Sequence, residues 1–322
     1  MSKLECYLTV GIPVYNGEKY ISRCLDSILE QKNIVIEIIV ALDKSIDNSE
    51  VILNRYQADY SNIKIIAKTE QDKGPGKSRN ILMDIAKTEY IYFIDIDDYL
   101  SHENVLEQYM ERIMYDKTDI LIGSHKHSDN PENGLFLKNE VLVLCDETRK
   151  KLFLEYSYSL TYTWNKIYRL SWLKKNNIKN RYEVAEDLHL FAKCFVNAIN
   201  LSTSKEVGLI YETGNMYSIT NSVMYKITEE KLNNYVLMGH QLELELDYSK
   251  KFDRLYLLSY VLWLQTIILR DGLRTGSLTF SKAMSYLRQS IRIERKLPIR
   301  QRLVCEFQLN FKKYLMLRYL LP

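Results

Sequence analysis

Four β-rich apolar runs of strand length punctuate the first hundred residues: Tyr7–Ile12, Val35–Val40, Ile63–Ala67 and Tyr90–Asp95. Their near-continuous hydrophobicity fits strands buried on both faces, while the segments between them follow a helical period. Glu18–Gln31 sets Ile21, Leu25, Ile28 and Leu29 on one face, and Gly76–Lys87 gathers Ile81, Leu82 and Ile85. Val105, Leu106, Tyr109 and Ile113 form a further stripe behind Ser101, which suits a helix cap. Asp47-Asn48-Ser49-Glu50 reads as a capping box, with Asp47 capping and Glu50 reaching back. Strands alternating with helices predict a parallel α/β sheet.

From about residue 119 the rhythm becomes α+β. Asp119–Gly123, Leu135–Leu144 and Val207–Glu212 are strand-like, whereas Asp146–Tyr156 and Glu186–Ile199 are helix-like. This half is expected to extend the first sheet, and after about 225 the chain turns mainly helical. The expected organisation is therefore a domain over 1–225, with halves 1–118 and 119–225, followed by a helical region over 226–322. Glycine (11) and proline (5) are too scarce among 322 residues for a collagen-like, linker-rich or low-complexity chain. Aromatic content of 11%, with 25 tyrosines, excludes disorder.

In open parallel α/β sheets, ligands bind beyond the carboxyl ends of the strands. Three of the runs deliver polar groups there: Pro13-Val14-Tyr15-Asn16-Gly17-Glu18, then Asp43-Lys44-Ser45, then Asp95-Ile96-Asp97-Asp98. Gathering aspartates is costly unless a cation neutralises them, and Mg²⁺ or Mn²⁺ prefers such oxygen ligands and shares them with substrate phosphates. The alternative is a solvated acidic turn. Lys73-Gly74-Pro75-Gly76-Lys77-Ser78-Arg79-Asn80 is a basic, Gly-rich opening to a helix, suited to anions or simply solvated. It lacks the Walker A spacing. Glu186-Asp187 also opens a helix, either as decoration of its dipole or, beside a remote metal-type cluster, as a general base. His125-Lys126-His127 could set two imidazoles on one strand face to bind metal, but no Cys or third His joins them in sequence and a polar loop is the preferred reading. His189 fits helix packing.

Together these pieces resemble the family 2 glycosyltransferases, over roughly residues 7–220. Pro13-Val14-Tyr15-Asn16 looks like the family's P-x-Y-N, and Asp43 falls at its nucleotide-base acid. Arg79-Asn80 resembles A-R-N, Asp95-Ile96-Asp97-Asp98 resembles D-x-D-D, Trp164-Asn165-Lys166-Ile167-Tyr168 resembles W-x-K-L-[YF], and Glu186-Asp187 resembles the E-D pair. The resemblance implies a GT-A fold: a Rossmann-like mixed sheet flanked by helices, here with a C-terminal helical extension. It also implies metal-dependent, inverting transfer from a nucleotide diphosphate sugar, with UDP as the expected nucleotide, to an acceptor hydroxyl. Asp187 would be the base, and Asp97 with Asp95 would hold Mn²⁺ or Mg²⁺. Pro13, Tyr15, Asn16, Glu18, Asp43, Arg79, Asn80, Asp95 and Asp97 would bind the donor, with Trp164, Lys166 and Glu186 near the acceptor or diphosphate. Leu42 and Lys44 depart from the acidic residue and Gly usual around Asp43. No Arg precedes Ser218-Ile219-Thr220 within Tyr211–Tyr217, which leaves Lys166 as its substitute.

The formal charge of +3 gives little reason to expect nucleic acid, but residues 282–322 carry ten Lys/Arg against Glu294 and Glu306. Leu287, Ile291, Leu303, Phe307, Phe311 and Leu315 stripe this tail, which suits an anionic membrane surface, packing on the catalytic domain or a homodimer contact. A lipid-linked saccharide acceptor at the inner membrane face would reconcile tail and catalytic domain. Five scattered cysteines form neither a disulfide framework nor a zinc site, and the N-terminus lacks a signal-peptide apolar region. Leu255–Leu269 is 15 residues against the roughly 20 needed to span a bilayer. A cytoplasmic chain, peripheral at most on the membrane, is the expectation. Its expected role is building capsule, lipopolysaccharide or wall glycan. An inactive nucleotide-sugar-binding or assembly protein, and a nucleotidyltransferase, are the competing readings.

Overall fold

The computed structural model describes residues 7–69, 72, 74–145, 148, 152, 160–180 and 186–215. The chain divides into two units after Asn215. The helical region and basic tail expected beyond 225, the Ser218-Ile219-Thr220 segment and most of the expected helix Asp146–Tyr156 lie outside the described residues.

The four expected strands form where apolar β-formers run together: β1 (Tyr7–Val14), β2 (Val35–Leu42), β3 (Ile63–Ala67) and β4 (Tyr90–Phe93). They pair in parallel in the order β3-β2-β1-β4. The later strands are β5 (Tyr99–Leu100), β6 (Ile120–His127), β7 (Gly134–Leu135), β8 (Glu140–Val143), β9 (Lys166–Arg169) and β10 (Asn200–Tyr211). β9 joins antiparallel to β4 and carries the sheet on through β6 and β10 to β5, so the second half does extend the first sheet. The result is mixed rather than wholly parallel.

Two apolar layers sandwich this sheet, and strand alternation assigns side chains to them. Ile38, Val40 and Leu42 of β2, with Tyr92 of β4, enter one layer; Ile39, Ala41 and Phe93 enter the other. Helices α1 (Ile21–Leu29), α2 (Ser49–Asp59) and α4 (Val105–Asp116) cover the first through Leu25, Leu53 and Leu106. Helices α3 (Pro75–Ile85), α5 (Leu170–Lys175) and α6 (Glu186–Asn197) cover the second through Leu82, Leu173 and Leu190.

Three local expectations are corrected. Asp47 does serve the start of α2, but it accepts from Ser49 N–H and, on its other oxygen, from Glu18 N–H. The reach-back role assigned to Glu50 falls to Glu18, whose Oε2 accepts Asn48 N–H at 3.0 Å. Ser101 does not cap α4; its hydroxyl donates to the Val207 carbonyl, and Asn104 takes the cap position. In α3 the inward face is Ser78, Arg79, Leu82 and Met83, with Ile81 and Ile85 only half-buried. A buried arginine on that face is the first sign of where the chemistry lies.

Candidate active site

The carboxyl ends of β1, β2 and β4 carry the expected polar loops side by side, and each loop is tied to its neighbour. Asn16, at φ 50°, donates its N–H to Ser45 Oγ and accepts Ile46 N–H on Oδ1. Gly17 N–H donates to Ser49 Oγ at 2.8 Å. Asn16 and Glu18 thus spend one oxygen each on clamping the loop after β2, while Tyr15 stands 60% exposed beyond half-buried Pro13.

Asp43 is held from three sides. Oδ1 accepts Lys44 N–H at 2.9 Å, and Oδ2 accepts Lys68 Nζ and Gly74 N–H, each at 3.0 Å. Burial disfavours its charge, but these hydrogen bonds outweigh burial and keep its carboxyl below the usual range. Lys68, its side chain fully buried, also donates to Gly74 O at 3.1 Å and Ser78 Oγ at 2.8 Å. It therefore fastens the Gly-rich loop to the acid, a role its place one residue past β3 did not announce.

Beyond β4 the alternation continues. Ile94, Ile96 and Asp98 point inward and Asp95 and Asp97 outward, which splits the aspartate cluster. Asp98 is 1% exposed, burial pushes its carboxyl well up, and Oδ1 accepts Glu212 N–H at 2.9 Å. It serves the fold rather than a cation. Asp97 accepts Asn215 Nδ2 on Oδ2 at 2.8 Å, and its carbonyl accepts Arg23 Nη2 at 2.7 Å. The same guanidinium pairs with Glu212 at 2.8 Å and lies over the Tyr99 ring at 4.4 Å. Arg23, Glu212 and Asn215 were not legible as site residues, because only the fold brings α1 and the end of β10 to this turn.

Arg79 is the hub. Only 1% exposed, it donates through Nη2 to Asp95 Oδ1 at 2.8 Å, and through Nη1 to Asp187 Oδ1 at 2.8 Å and Glu186 Oε1 at 3.2 Å. Burial alone would lower its pKa, but the negative charges of Asp187, Asp95 and Glu186 raise it instead. Burial, then the charge of Asp187, pushes Glu186 up despite Arg79. Arg79 thus joins the carboxylate after β4 to the pair that opens α6. Gly76 lets α3 and α6 approach this closely, since a Cβ there would meet Glu186 Cβ at 2.9 Å.

Asn80 and Lys166 differ from expectation. The Asn80 amide clasps Asn180, donating to its carbonyl at 2.6 Å and accepting its N–H at 2.8 Å, so it holds the chain approaching α6. Lys166 is 3% exposed and its Nζ donates to the Tyr162 carbonyl and, at 3.4 Å, to that of Trp164. Its ammonium is turned into the protein and cannot replace an arginine at a diphosphate; burial lowers its pKa to about 7. Trp164 is 4% exposed, stacked between Tyr162 and Tyr211 at 4.7 and 5.4 Å with His125 against its edge. His125 stacks on His127 at 6.3 Å and burial depresses its pKa to about 3, so this pair belongs to an aromatic cluster. His189 is fully buried in α6, as packing requires.

A cavity of about 750 Å³ opens at the opposite sheet edge, among Tyr7, Val35, Glu37, Lys64 and Tyr90. The convergent carboxylates are not there. Among the described residues no group of three or more His, Cys, Asp or Glu forms a closed metal cage. One carboxylate oxygen each of Asp95 and Asp97 lies outside the hydrogen bonds above. No helix among the described residues is long and apolar enough to cross a membrane.

Acidic residues at the ends of the parallel strands of a mixed sheet are thus joined through one arginine to the start of α6. Residues 9–176 match the model of glycosyl transferase family 2, and the chain belongs to that family. It is 34% identical over 209 residues to the poly(ribitol-phosphate) beta-glucosyltransferase of Bacillus spizizenii, covering 63% of this chain and 32% of that protein. It is 31% identical over 212 residues to the poly(ribitol-phosphate) beta-N-acetylglucosaminyltransferase TarS of Staphylococcus aureus, covering 64% and 35%. The chain therefore spans about a third of the length of these relatives. The crystal structure of S. aureus TarS 1-349 in complex with UDP-GlcNAc superposes with a TM-score of 0.74 at 21% identity, covering 95% of this chain and 88% of that one, which establishes the fold.

Proposed function

We propose that this chain transfers a sugar, with inversion, from a UDP-sugar to an acceptor hydroxyl of a bacterial surface glycan. The observation that carries this reading is Arg79, which fixes Asp95 on the donor side and Asp187 beside it through one guanidinium. Family membership and relatives that act on poly(ribitol phosphate) support the substrate class.

In this reading Tyr15, Asn16, Glu18 and Asp43 frame the nucleoside. Asp95 and Asp97 would hold Mg²⁺ or Mn²⁺, which supplies positive charge to offset that developing on the departing diphosphate. Asp187 takes the acceptor proton as the acceptor oxygen bonds to the anomeric carbon. The bond from that carbon to the diphosphate oxygen breaks on the opposite face, and the nucleoside diphosphate leaves with the electron pair. Arg79 and Thr163 keep the Asp187 carboxylate aimed, so little reorganisation is needed at the moment of reaction. The basic segment 282–322 supports contact with an anionic surface that presents the acceptor.

The stereochemical outcome tests the proposal. Proton NMR of the product formed from an α-linked UDP-sugar is expected to show a β-anomeric coupling; an α product would overturn direct displacement with Asp187 as base.

A further inference from the structure

Thr163 lies in the chain between Tyr162 and Trp164, whose rings stack on each other at 4.7 Å, and is 1% exposed. Its hydroxyl donates to Asp187 Oδ1, the same oxygen that receives Arg79 Nη1 at 2.8 Å. Among the described residues Oδ2 receives no hydrogen bond, and the Asp187 side chain remains 26% exposed. Two donors thus converge on one oxygen of the carboxylate, and among the described residues none meets the other.

The loop that carries Thr163 is itself pinned. Lys166 Nζ donates to the carbonyls on either side of Thr163, and Tyr168 Oη donates to the Thr163 carbonyl at 3.2 Å. Asn165, at φ 55°, donates Nδ2 to the Gly123 and Ser124 carbonyls at 2.9 Å each and its N–H to Phe93 O at 3.1 Å. The hydroxyl is therefore delivered from a rigid mount anchored on β4 and β6, independent of α6. A carboxylate held by one donor can pivot about that contact; a second donor from another direction removes the freedom.

We infer that Thr163 is a positioning residue of the reaction: with Arg79 it fixes Asp187 through Oδ1, so that Oδ2 faces the acceptor hydroxyl and receives its proton. This inference rests on the reading of Asp187 as the base. It assigns the two oxygens different roles and gives the aromatic loop a second duty, that of aligning α6 with the donor edge.

Release of UDP from UDP-glucose and from UDP-N-acetylglucosamine without added acceptor gives the test, since water in the acceptor place must lose its proton to the same oxygen. Wild type, Thr163→Val, Thr163→Ala, Thr163→Ser, Asp187→Asn and the Thr163→Val/Asp187→Asn pair are compared, with UDP affinity measured by calorimetry on each. Loss of one hydrogen bond to a charged group predicts a fall in kcat of about tenfold in Thr163→Val. Donor KM and UDP affinity are expected to stay within about twofold, with Thr163→Ser regaining most of the rate. In the Asp187→Asn background the Val substitution should cost nothing further. Unchanged kcat in Thr163→Val and Thr163→Ala, or an equal loss in the Asn background, overturns the inference while leaving the base in place. A wild-type rate retained by Asp187→Asn, or a wild type that releases UDP from neither donor, overturns the underlying reading and the inference with it.

Discussion

Arg79 and Asp187, 108 residues apart in sequence, meet in a 2.8 Å ion pair. The pair couples the second turn of α3 to the first turn of α6, and through Asp95 it reaches the end of β4 as well. A buried cation among three carboxylates is stable only as a set. Each acid depends on the guanidinium, and the guanidinium would not tolerate burial without them.

Arg79→Met is therefore expected to destabilise the fold by about 3–5 kcal/mol, the usual cost of leaving buried charge without its partner. Urea denaturation would measure it. Adding Asp187→Asn to the Met variant should recover part of the loss by removing one of the stranded negative charges. A loss below about 1 kcal/mol would put the three acids in water and remove the reason for the hub.

Lys68→Met should weaken UDP binding by about tenfold, because Asp43 would lose a charged donor and the Gly74 loop its tether. Calorimetry with UDP checks this without turnover. Equal affinity in the variant would mean that Asp43 is set by Gly74 and Lys44 alone.

Lys166 links stability to pH. Its pKa is lowered to about 7 in the folded chain, chiefly by burial, whereas the unfolded chain titrates near 10.4. Between these values the unfolded state binds more protons, so stability should rise as pH rises from about 7 toward 10. Thermal midpoints across that range should climb more steeply in the wild type than in Lys166→Met. Parallel curves would place the ammonium in contact with water.

Gly123 and Gly208 leave room for the Tyr109 hydroxyl, and a Cβ on Gly123 would lie 1.9 Å from it. The ring is fully buried against the paired strands β6 and β10, so it has nowhere to retreat. Gly123→Ala is expected to cost roughly 1–3 kcal/mol by overpacking. Chemical denaturation of a cycle of Gly123→Ala, Tyr109→Leu and the pair, in which the clashing hydroxyl, Cζ and Cε2 are all absent, separates this clash from a backbone effect.

The sheet was legible because its strands are long apolar runs, and period-2 burial then sorts Ile38 from Ile39 without further information. The parallel half and its helices could be read from residues 7–116 directly. Pro13 through Glu18, Asp43, Asp95, Asp97 and Asp187 could be singled out because they interrupt apolar runs at strand ends or open a helix. What could not be read is which partner each side chain meets. Arg79 looks like a solvated cation at a basic helix start, yet α3 turns it inward. Asp98 looks equivalent to Asp97, but the turn after β4, closed by Asp98 N–H on the Asp95 carbonyl, sends it the other way. Lys68, Thr163 and Asn215 sit in stretches with no motif, and their roles arise only when the fold brings the segments flanking β3, β9 and β10 to the carboxyl ends of the parallel strands. Asn80 and Lys166 matched a motif while serving the architecture that supports it.

In the proposed reading Asp95 and Asp97 would hold a divalent cation against a UDP-sugar beside Asp187. The most direct measurement is UDP release from UDP-glucose and UDP-N-acetylglucosamine by wild type, Asp97→Ala and Asp187→Asn, each with Mn²⁺ and with EDTA. Release from one donor, abolished by EDTA and by Asp97→Ala and strongly reduced by Asp187→Asn, is the predicted result. Release that persists in EDTA and in Asp97→Ala would contradict it.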